Sequence, residues 1–267
     1  MSERVTVIGA GAMGGAVVSA LAASGTVPAA SIVVSEIDDA RRKAVVAASG
    51  ATAGQGLPAD VTGAQALVLA VKPQSFATVA DVIRPALTPS QLVLSIMAGV
   101  RLETMESALG TARLVRAMPN TPAQIGRGMT VWMAGRGVHD ADRRRTRQIL
   151  GSFGAEIEVH AEDLLDAATA VHGSGPAYVY LVAEAWIDAA VSVGLEREIA
   201  TTLVRETLIG SAELWNAGDM SAEALRHAVT SPGGTTAAAL DVFEERDLRQ
   251  AFLAAVAAAY RRSQELG

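Results

Sequence analysis

The chain has 267 residues, no cysteine and a formal net charge of −6. Half of its residues are apolar and 19% are charged, a composition typical of a globular protein with a buried core. The net negative charge gives no indication of a basic surface that would bind nucleic acid. The lack of cysteine excludes disulfides, thiolate metal sites and thiol nucleophiles. The four histidines lack the spacing of metal ligands, so we expect no metal. No stretch spans a membrane length without interruption, and we expect a cytoplasmic protein with no membrane partner.

The N-terminal segment predicts a strand, a glycine-rich turn and a helix. A β-branched run at Val5–Ile8 precedes the turn, and small apolar residues at 15–23 follow it. In the pattern G-x-G-x-x-G the first glycine permits the tight turn and the second lets the backbone approach a pyrophosphate. The third lets the helix pack against the strand, and the helix N-terminus attracts phosphate. We therefore predict a dinucleotide site at Gly9, Ala10, Gly11, Ala12, Met13 and Gly14.

The second predicted strand, residues 31–35, ends where the adenosine ribose of a dinucleotide is usually bound. Glu36 would accept a hydrogen bond from the 2′-hydroxyl of NAD, whereas Ser35 with Arg41 and Arg42 would suit the 2′-phosphate of NADP. Because the chain offers both arrangements, these residues leave NAD and NADP as alternatives.

Further strands alternate with short helices, which predicts a mainly parallel sheet with right-handed crossovers. The predicted strands are 66–71, 92–96, 113–117, 129–133 and 156–159, and the predicted helices between them are 76–83, 102–109 and 141–153. Ligands bind beyond the carboxyl ends of such strands. The candidate cofactor residues there are Ala70, Val71, Lys72, Pro73, Met118, Pro119 and Asn120, together with residues 97–99. A solvated turn is the alternative interpretation of Lys72.

After residue 163 the pattern becomes helical, so we predict a dinucleotide-binding domain at 1–163 and a helical domain at 164–267. The predicted helices are 164–171, 177–193, 197–216, 222–229, 236–244 and 248–265. Several of these helices are apolar on more than one face. Such helices need more burial than a small domain offers, which predicts dimerisation through this half.

Four stretches, at 9–14, 116–122, 173–178 and 230–236, occur in an order and spacing that resemble the pyrroline-5-carboxylate reductase family along essentially the whole chain. The resemblance implies NAD(P)H-dependent reduction of 1-pyrroline-5-carboxylate to L-proline, with NADPH as the expected cofactor and NADH as the alternative. It also implies an N-terminal α/β Rossmann domain and an all-α C-terminal dimerisation domain. We expect a homodimer, and higher assemblies of dimers occur in the family.

By matching position, the resemblance places Ser35 at the NADP phosphate and Thr169, Ser231 and Thr236 in the substrate pocket. The turn Gly233-Gly234-Thr235-Thr236 opens a helix, so its N–H groups and hydroxyls are predicted to bind the substrate carboxylate. These motifs contain no evident general acid, and we expect catalysis by proximity and orientation. Thr236 and Ser231 are the candidate catalytic residues, with either Thr236 or a water molecule expected near the imine nitrogen.

The chain departs from the family pattern at residues 219–221, where many members carry Glu-His-Pro, and at Leu57, where some place an asparagine. His172 is interpreted as a partly exposed residue at a helix end and not as an acid. Two-domain β-hydroxyacid dehydrogenases rely on a lysine in the helical half, whereas the lysines of this chain are Lys43 and Lys72. A non-catalytic dinucleotide-binding protein on the same fold is the other alternative.

Overall fold

The computed structural model describes residues 4–266, whose contacts divide the chain into two compact units. The first unit runs to Ser174 and includes the end of the chain from Ala259 onward, and the second is Gly175–Ala258. Across the described residues, no helix is long and apolar enough to cross a membrane.

In the first unit the described residues form one sheet of eight strands in the order β3-β2-β1-β4-β5-β6-β7-β8. The strands are β1 Val5–Ile8, β2 Ile32–Ser35, β3 Thr52–Ala53, β4 Ala66–Leu69, β5 Leu92–Ser95, β6 Leu114–Pro119, β7 Gly128–Ala134 and β8 Gly154–Glu158. The strands β1 to β6 are parallel, β7 runs antiparallel to β6, and β8 is parallel to β7. The prediction of a mainly parallel Rossmann sheet is confirmed.

Helices cover both faces of this sheet, whose central strands β1, β4 and β5 are buried along their whole length. They are α1 Ala12–Ser24, α2 Asp39–Ser49, α3 Phe76–Ile83, α4 Leu102–Leu109, α5 Asp140–Gly151 and α6 Glu162–Ala168. Val68 of β4 points to one core together with Val18 of α1, whereas Leu67 points to the other core with Phe76 of α3. A strand buried on both faces reads as a continuous apolar run, which is how these strands were recognisable.

A short strand and a helical turn also differ from the predicted elements. Strand β3 was not predicted, because it has only two residues and both are exposed. After α6 the predicted helix does not continue to residue 171, since a π-helical turn at Thr169–Gly173 replaces it. Such turns occur often at functional sites.

The rest of the chain is helical, as predicted, with α7 Gly175–Ser192, α8 Arg197–Ala217, α9 Ala222–Ala228, α10 Thr235–Glu245 and α11 Leu248–Leu266. Within the second unit only Ala200 and Val204 are buried. Large apolar side chains are exposed instead, among them Leu181 at 65% and Leu214 at 62%. This unit therefore holds much apolar surface that the single chain leaves in water.

Candidate cofactor and substrate sites

The predicted cofactor residues of the first unit gather at one edge of the sheet. Because β1, β2, β4 and β6 belong to the parallel part, their carboxyl ends face the same side. The strand order reverses at β1, which lies between β2 and β4. In open α/β sheets this switch point is where a crevice forms beyond the strand ends.

The turn of residues 9–14 has the backbone geometry that its glycines predict. Gly9 adopts φ +94°, and a Cβ there would lie 2.8 Å from the carbonyl oxygen of Ala70. A Cβ at Gly14 would lie 2.0 Å from the carbonyl oxygen of Gly9. These two glycines are therefore required by the close approach of strand and helix.

Gly11 differs because nothing lies within 4 Å of where its Cβ would be. It is the N-cap residue of α1, no side chain caps that helix, and its first turn, which begins with Ala12 and Met13, contains no acidic residue. The first N–H groups of a helix lack partners within the helix and attract phosphate. The turn therefore leaves an open space with free donors, and its residues fit the pyrophosphate of a dinucleotide.

The end of β4 lies directly against this turn. The N–H of Ala70 donates to the carbonyl oxygen of Ile8 at 2.8 Å, and Val71 would be 3.1 Å from a Cβ at Gly9. Lys72 and Pro73 follow, both exposed, with Lys72 at the start of a short 3₁₀ turn. Ala70 and Val71 are thus beside the glycines, while Lys72 extends into solvent at the same edge.

The end of β2 carries Ser35, which is buried to 6% exposure, and then Glu36. One carboxylate oxygen of Glu36 accepts the N–H of Ala10 at 2.7 Å, and the other accepts the N–H of Asp38 at 3.0 Å. Burial alone would raise the pKa of Glu36, but these two N–H groups and the Arg41 guanidinium outweigh burial and lower that pKa. The carboxylate therefore lies ionised beside the glycine turn.

Met118 and Pro119 end β6, and the next residue, Asn120, ties three segments together. Its Oδ1 accepts the N–H of Met129 at 2.8 Å, and its Nδ2 donates to the carbonyl oxygen of His172 at 3.1 Å. His172 is partly exposed, with its ring nitrogens 2.6 Å from the Ala168 carbonyl oxygen and 2.7 Å from that of Met118. The polar atoms of Asn120 and His172 thus hold the π-helical turn against β6, a role that the sequence did not suggest.

A pocket of about 260 Å³ in the first unit lies between the ends of β5 and β6 and the end of α11. Residues 97–99, Met118 and Thr169 line it, so the π-helical turn brings a predicted substrate residue to the strand ends predicted to hold the cofactor. The hydroxyl of Thr169 donates to the Leu165 carbonyl oxygen at 2.8 Å.

Arg116 also lines this pocket, and its side chain is buried in an ion-pair network that sequence reasoning missed. Its guanidinium donates to Glu162 at 3.0 Å and to Asp166 at 3.1 Å, both on α6. Glu162 also accepts the N–H of Leu102 at the start of α4, and Ser263 of α11 donates to Asp166 at 3.3 Å. The signal was present in the sequence as an arginine inside an apolar strand and two acids four residues apart.

In the second unit, residues 231–236 form a tight turn into α10. Gly233 has φ +69°, and the N–H of Gly234 donates to the Ser231 carbonyl oxygen at 3.0 Å. A Cβ at Gly234 would lie 2.4 Å from the Ser231 hydroxyl oxygen, so a side chain there would displace that hydroxyl. Gly234 is the N-cap of α10, no side chain caps the helix, and Thr235 and Thr236 open it. The turn offers free N–H groups beside hydroxyls, as an anion site requires.

Among residues 4–266 no group of three or more histidine, aspartate or glutamate side chains is placed to hold a metal ion. In the basic runs at 41–43 and 143–145 several side chains pair with nearby carboxylates. Arg41 and Lys43 pair with acids of their own segment, and Arg143 pairs with Glu158.

Known proteins resemble this chain over its full length. A family model described as pyrroline-5-carboxylate reductase dimerisation matches residues 162–266, and one described as NADP oxidoreductase coenzyme F420-dependent matches residues 4–99. The pyrroline-5-carboxylate reductase of Synechocystis sp. is 40% identical, with 100% of this chain and 99% of the relative covered. That of Pseudomonas aeruginosa is 37% identical, with coverage of 99% and 97%.

Two solved structures are similar as well. The pyrroline-5-carboxylate reductase from Coxiella burnetii has a TM-score of 0.95 at 34% identity, covering 100% of this chain and 99% of that one. A pyrroline carboxylate reductase from Plasmodium falciparum, solved with NADP bound, has a TM-score of 0.88 at 30% identity, with coverage of 99% and 98%.

Proposed function

The chain belongs to the pyrroline-5-carboxylate reductase family, and we propose that it catalyses the NAD(P)H-dependent reduction of 1-pyrroline-5-carboxylate to L-proline, the last step of proline biosynthesis. The observation that carries this proposal is the full-length similarity together with two open anion sites in one chain. One is the glycine turn at 9–14 and the other is the turn at 231–236.

The dinucleotide supplies a hydride when it is bound. The backbone N–H groups at the start of α1, at Ala12 and Met13, would hold its pyrophosphate, with Gly11 leaving room for the approach. Ala70 and Val71 beside the turn, and Met118 and residues 97–99 at the neighbouring strand ends, would form the wall along the rest of the molecule.

The substrate is a cyclic imine with one carboxylate. We assign the carboxylate to the N–H groups of Thr235 and Thr236 and to the Thr235 hydroxyl, with Gly233 and Gly234 leaving the approach free of side chains. In the reaction the hydride forms a C–H bond at the imine carbon, which becomes C5 of proline, the C=N bond becomes a single bond, and one proton on the nitrogen completes the amine. A cyclic imine is basic enough to enter the site protonated, so the role of Thr236 would be to orient the nitrogen through its hydroxyl.

The second unit supports a homodimer formed through the C-terminal helices. It buries only two of its own residues, and the matched family model is described as a dimerisation region. Exposed apolar residues on α7, α8 and α11 would be covered by the same helices of a second copy. A higher assembly of such dimers and a cytoplasmic location stay predictions from the sequence.

The proposal is tested by following dinucleotide oxidation and proline formation with purified protein and 1-pyrroline-5-carboxylate. We expect consumption of one dinucleotide for each proline formed. Loss of the Thr236 hydroxyl in Thr236→Val should lower kcat by about tenfold to a hundredfold, the value of one hydrogen bond to a charged group. The matched control is Thr62→Val, an exposed threonine of the first unit, which should leave kcat unchanged.

No turnover with either dinucleotide would refute the proposed reaction. Unchanged kinetics of Thr236→Val would refute only the role of that hydroxyl. A dehydrogenase of the β-hydroxyacid type would instead reduce NAD with a 3-hydroxy acid. The absence of lysine beyond Lys72 in the sequence argues against that chemistry.

A further inference from the structure

The residues after β2 decide what the dinucleotide site can accept at the adenosine ribose. The Glu36 side chain is only 6% exposed, and its carboxylate accepts the N–H of Ala10 within the glycine turn. A hydrogen bond of 2.7 Å to that turn places the negative charge where a dinucleotide bound there would bring its ribose. The carboxylate is therefore part of the site and not a surface group near it.

The cations that could bind a 2′-phosphate are already paired. Arg41 lies 3.4 Å from Glu36 and 3.5 Å from Asp38. Arg42 donates to the Glu36 carbonyl oxygen at 2.9 Å and pairs with Asp39. Lys43 also pairs with Asp39, at 2.7 Å. The three cationic side chains of this segment are thus balanced by its three carboxylates. The segment has no surplus positive charge to offer.

A 2′-phosphate and a 2′-hydroxyl behave oppositely in these surroundings. A phosphate monoester carries roughly −1.5 to −2 charges at neutral pH, so that it would be repelled by the Glu36 carboxylate and would have to break existing ion pairs. A hydroxyl can donate a hydrogen bond to the same carboxylate at no electrostatic cost. Ser35 does not reverse this balance, because it carries no charge and is itself buried.

We propose that Glu36 binds the 2′-hydroxyl of the adenosine ribose and excludes a 2′-phosphate, so that this protein binds NADH in preference to NADPH. The inference rests on the proposed function, since it assumes that the glycine turn binds a dinucleotide. It also reverses the order that the family resemblance implies for the two cofactors.

Direct binding tests the inference without the imine. Isothermal titration calorimetry would compare NADH with NADPH, and ADP-ribose with its 2′-phosphorylated form, on the wild-type chain. We expect the compounds without the 2′-phosphate to bind more tightly by about tenfold or more. In Glu36→Gln, which keeps the shape and an acceptor for the Ala10 N–H, that ratio should fall to about one-tenth of its wild-type value or less.

The control is Glu103→Gln, an exposed glutamate in the first turn of α4, which changes the net charge by the same amount and should leave the ratio unaltered. Equal or tighter binding of the 2′-phosphorylated compounds by the wild-type chain would overturn the inference while leaving the reductase proposal intact. A wild-type ratio that Glu36→Gln does not change would also overturn it. If neither dinucleotide binds, the proposed function fails together with the inference.

Discussion

One methyl group added at Gly11 or at Gly14 should separate cofactor binding from fold stability. At Gly14 the new Cβ would lie 2.0 Å from the Gly9 carbonyl oxygen, whereas ordinary van der Waals contact begins at 3.4 Å. Because that oxygen belongs to the backbone, the start of α1 must move away from β1. At Gly11, with φ −62°, an alanine fits without strain, and its methyl group enters the space open to the pyrophosphate.

The two variants should therefore fail in different assays. In Gly14→Ala, overpacking lowers the free energy of unfolding by about 3 kcal/mol, and the higher helix propensity of alanine raises it by about 1 kcal/mol. The net loss of about 2 kcal/mol should lower Tm by roughly 4–8 °C. Gly11→Ala should shift Tm by less than about 2 °C, because the poorer N-cap that alanine makes costs about 0.5–1 kcal/mol and the lower conformational entropy of the unfolded chain offsets it by a similar amount. It should weaken dinucleotide binding about tenfold to a hundredfold, the loss of one or two hydrogen bonds to phosphate.

Differential scanning fluorimetry would measure Tm, and calorimetric titration with each dinucleotide would measure affinity. Gly151→Ala is the control, because nothing lies within 4 Å of its Cβ position at the end of α5 and it is not part of the glycine turn. The reasoning would be refuted if Gly11→Ala bound dinucleotide as tightly as wild type, or if Gly14→Ala kept its Tm.

Two further predictions concern side chains that stabilise the first unit. The fully buried Asp142 carboxylate accepts two hydrogen bonds from Arg113, at 2.8 and 2.6 Å. Asp142→Asn should therefore lower the free energy of unfolding, measured by chemical denaturation, by about 3–5 kcal/mol. Burial would raise the pKa of Asp142, but Arg113 and the His139 N–H outweigh it and lower that pKa, so the stabilisation should persist above pH ~4 and be lost as the pH falls further. If the stability of Asp142→Asn depended on pH as that of the wild type does, this reasoning would be contradicted. Asn120→Ala removes the hydrogen bond to the Met129 N–H and should cost about 1–3 kcal/mol; unaltered stability would contradict its structural role.

The glycine turn could be predicted from the sequence because its signal is local. Gly9, Gly11 and Gly14 stand between a β-branched run and a small apolar helix, and Gly9 and Gly14 each correspond to one close backbone contact. The parallel strands were predictable for a similar reason, since burial on both faces leaves a continuous apolar run.

Contacts between distant segments could not be predicted in this way. Arg116 donates a hydrogen bond to Asp166, which lies fifty residues further along the sequence. Asn120 donates to the carbonyl oxygen of His172 across a similar sequence separation. An apolar run also carries no information on its direction, so the antiparallel pairing of β7 with β6 was not foreseen. The role of Glu36 was left open by the sequence because only the fold brings its carboxylate to the N–H of Ala10.

The central claim, hydride transfer from a nicotinamide dinucleotide to the imine carbon that becomes C5 of proline, is tested most directly with an isotope. The purified protein would be incubated with 1-pyrroline-5-carboxylate and dinucleotide carrying deuterium at the transferable C4 position, and the product would be analysed by mass spectrometry and NMR. The account predicts L-proline with a single deuterium at C5. Proline without deuterium, or dinucleotide oxidation without proline, would contradict it.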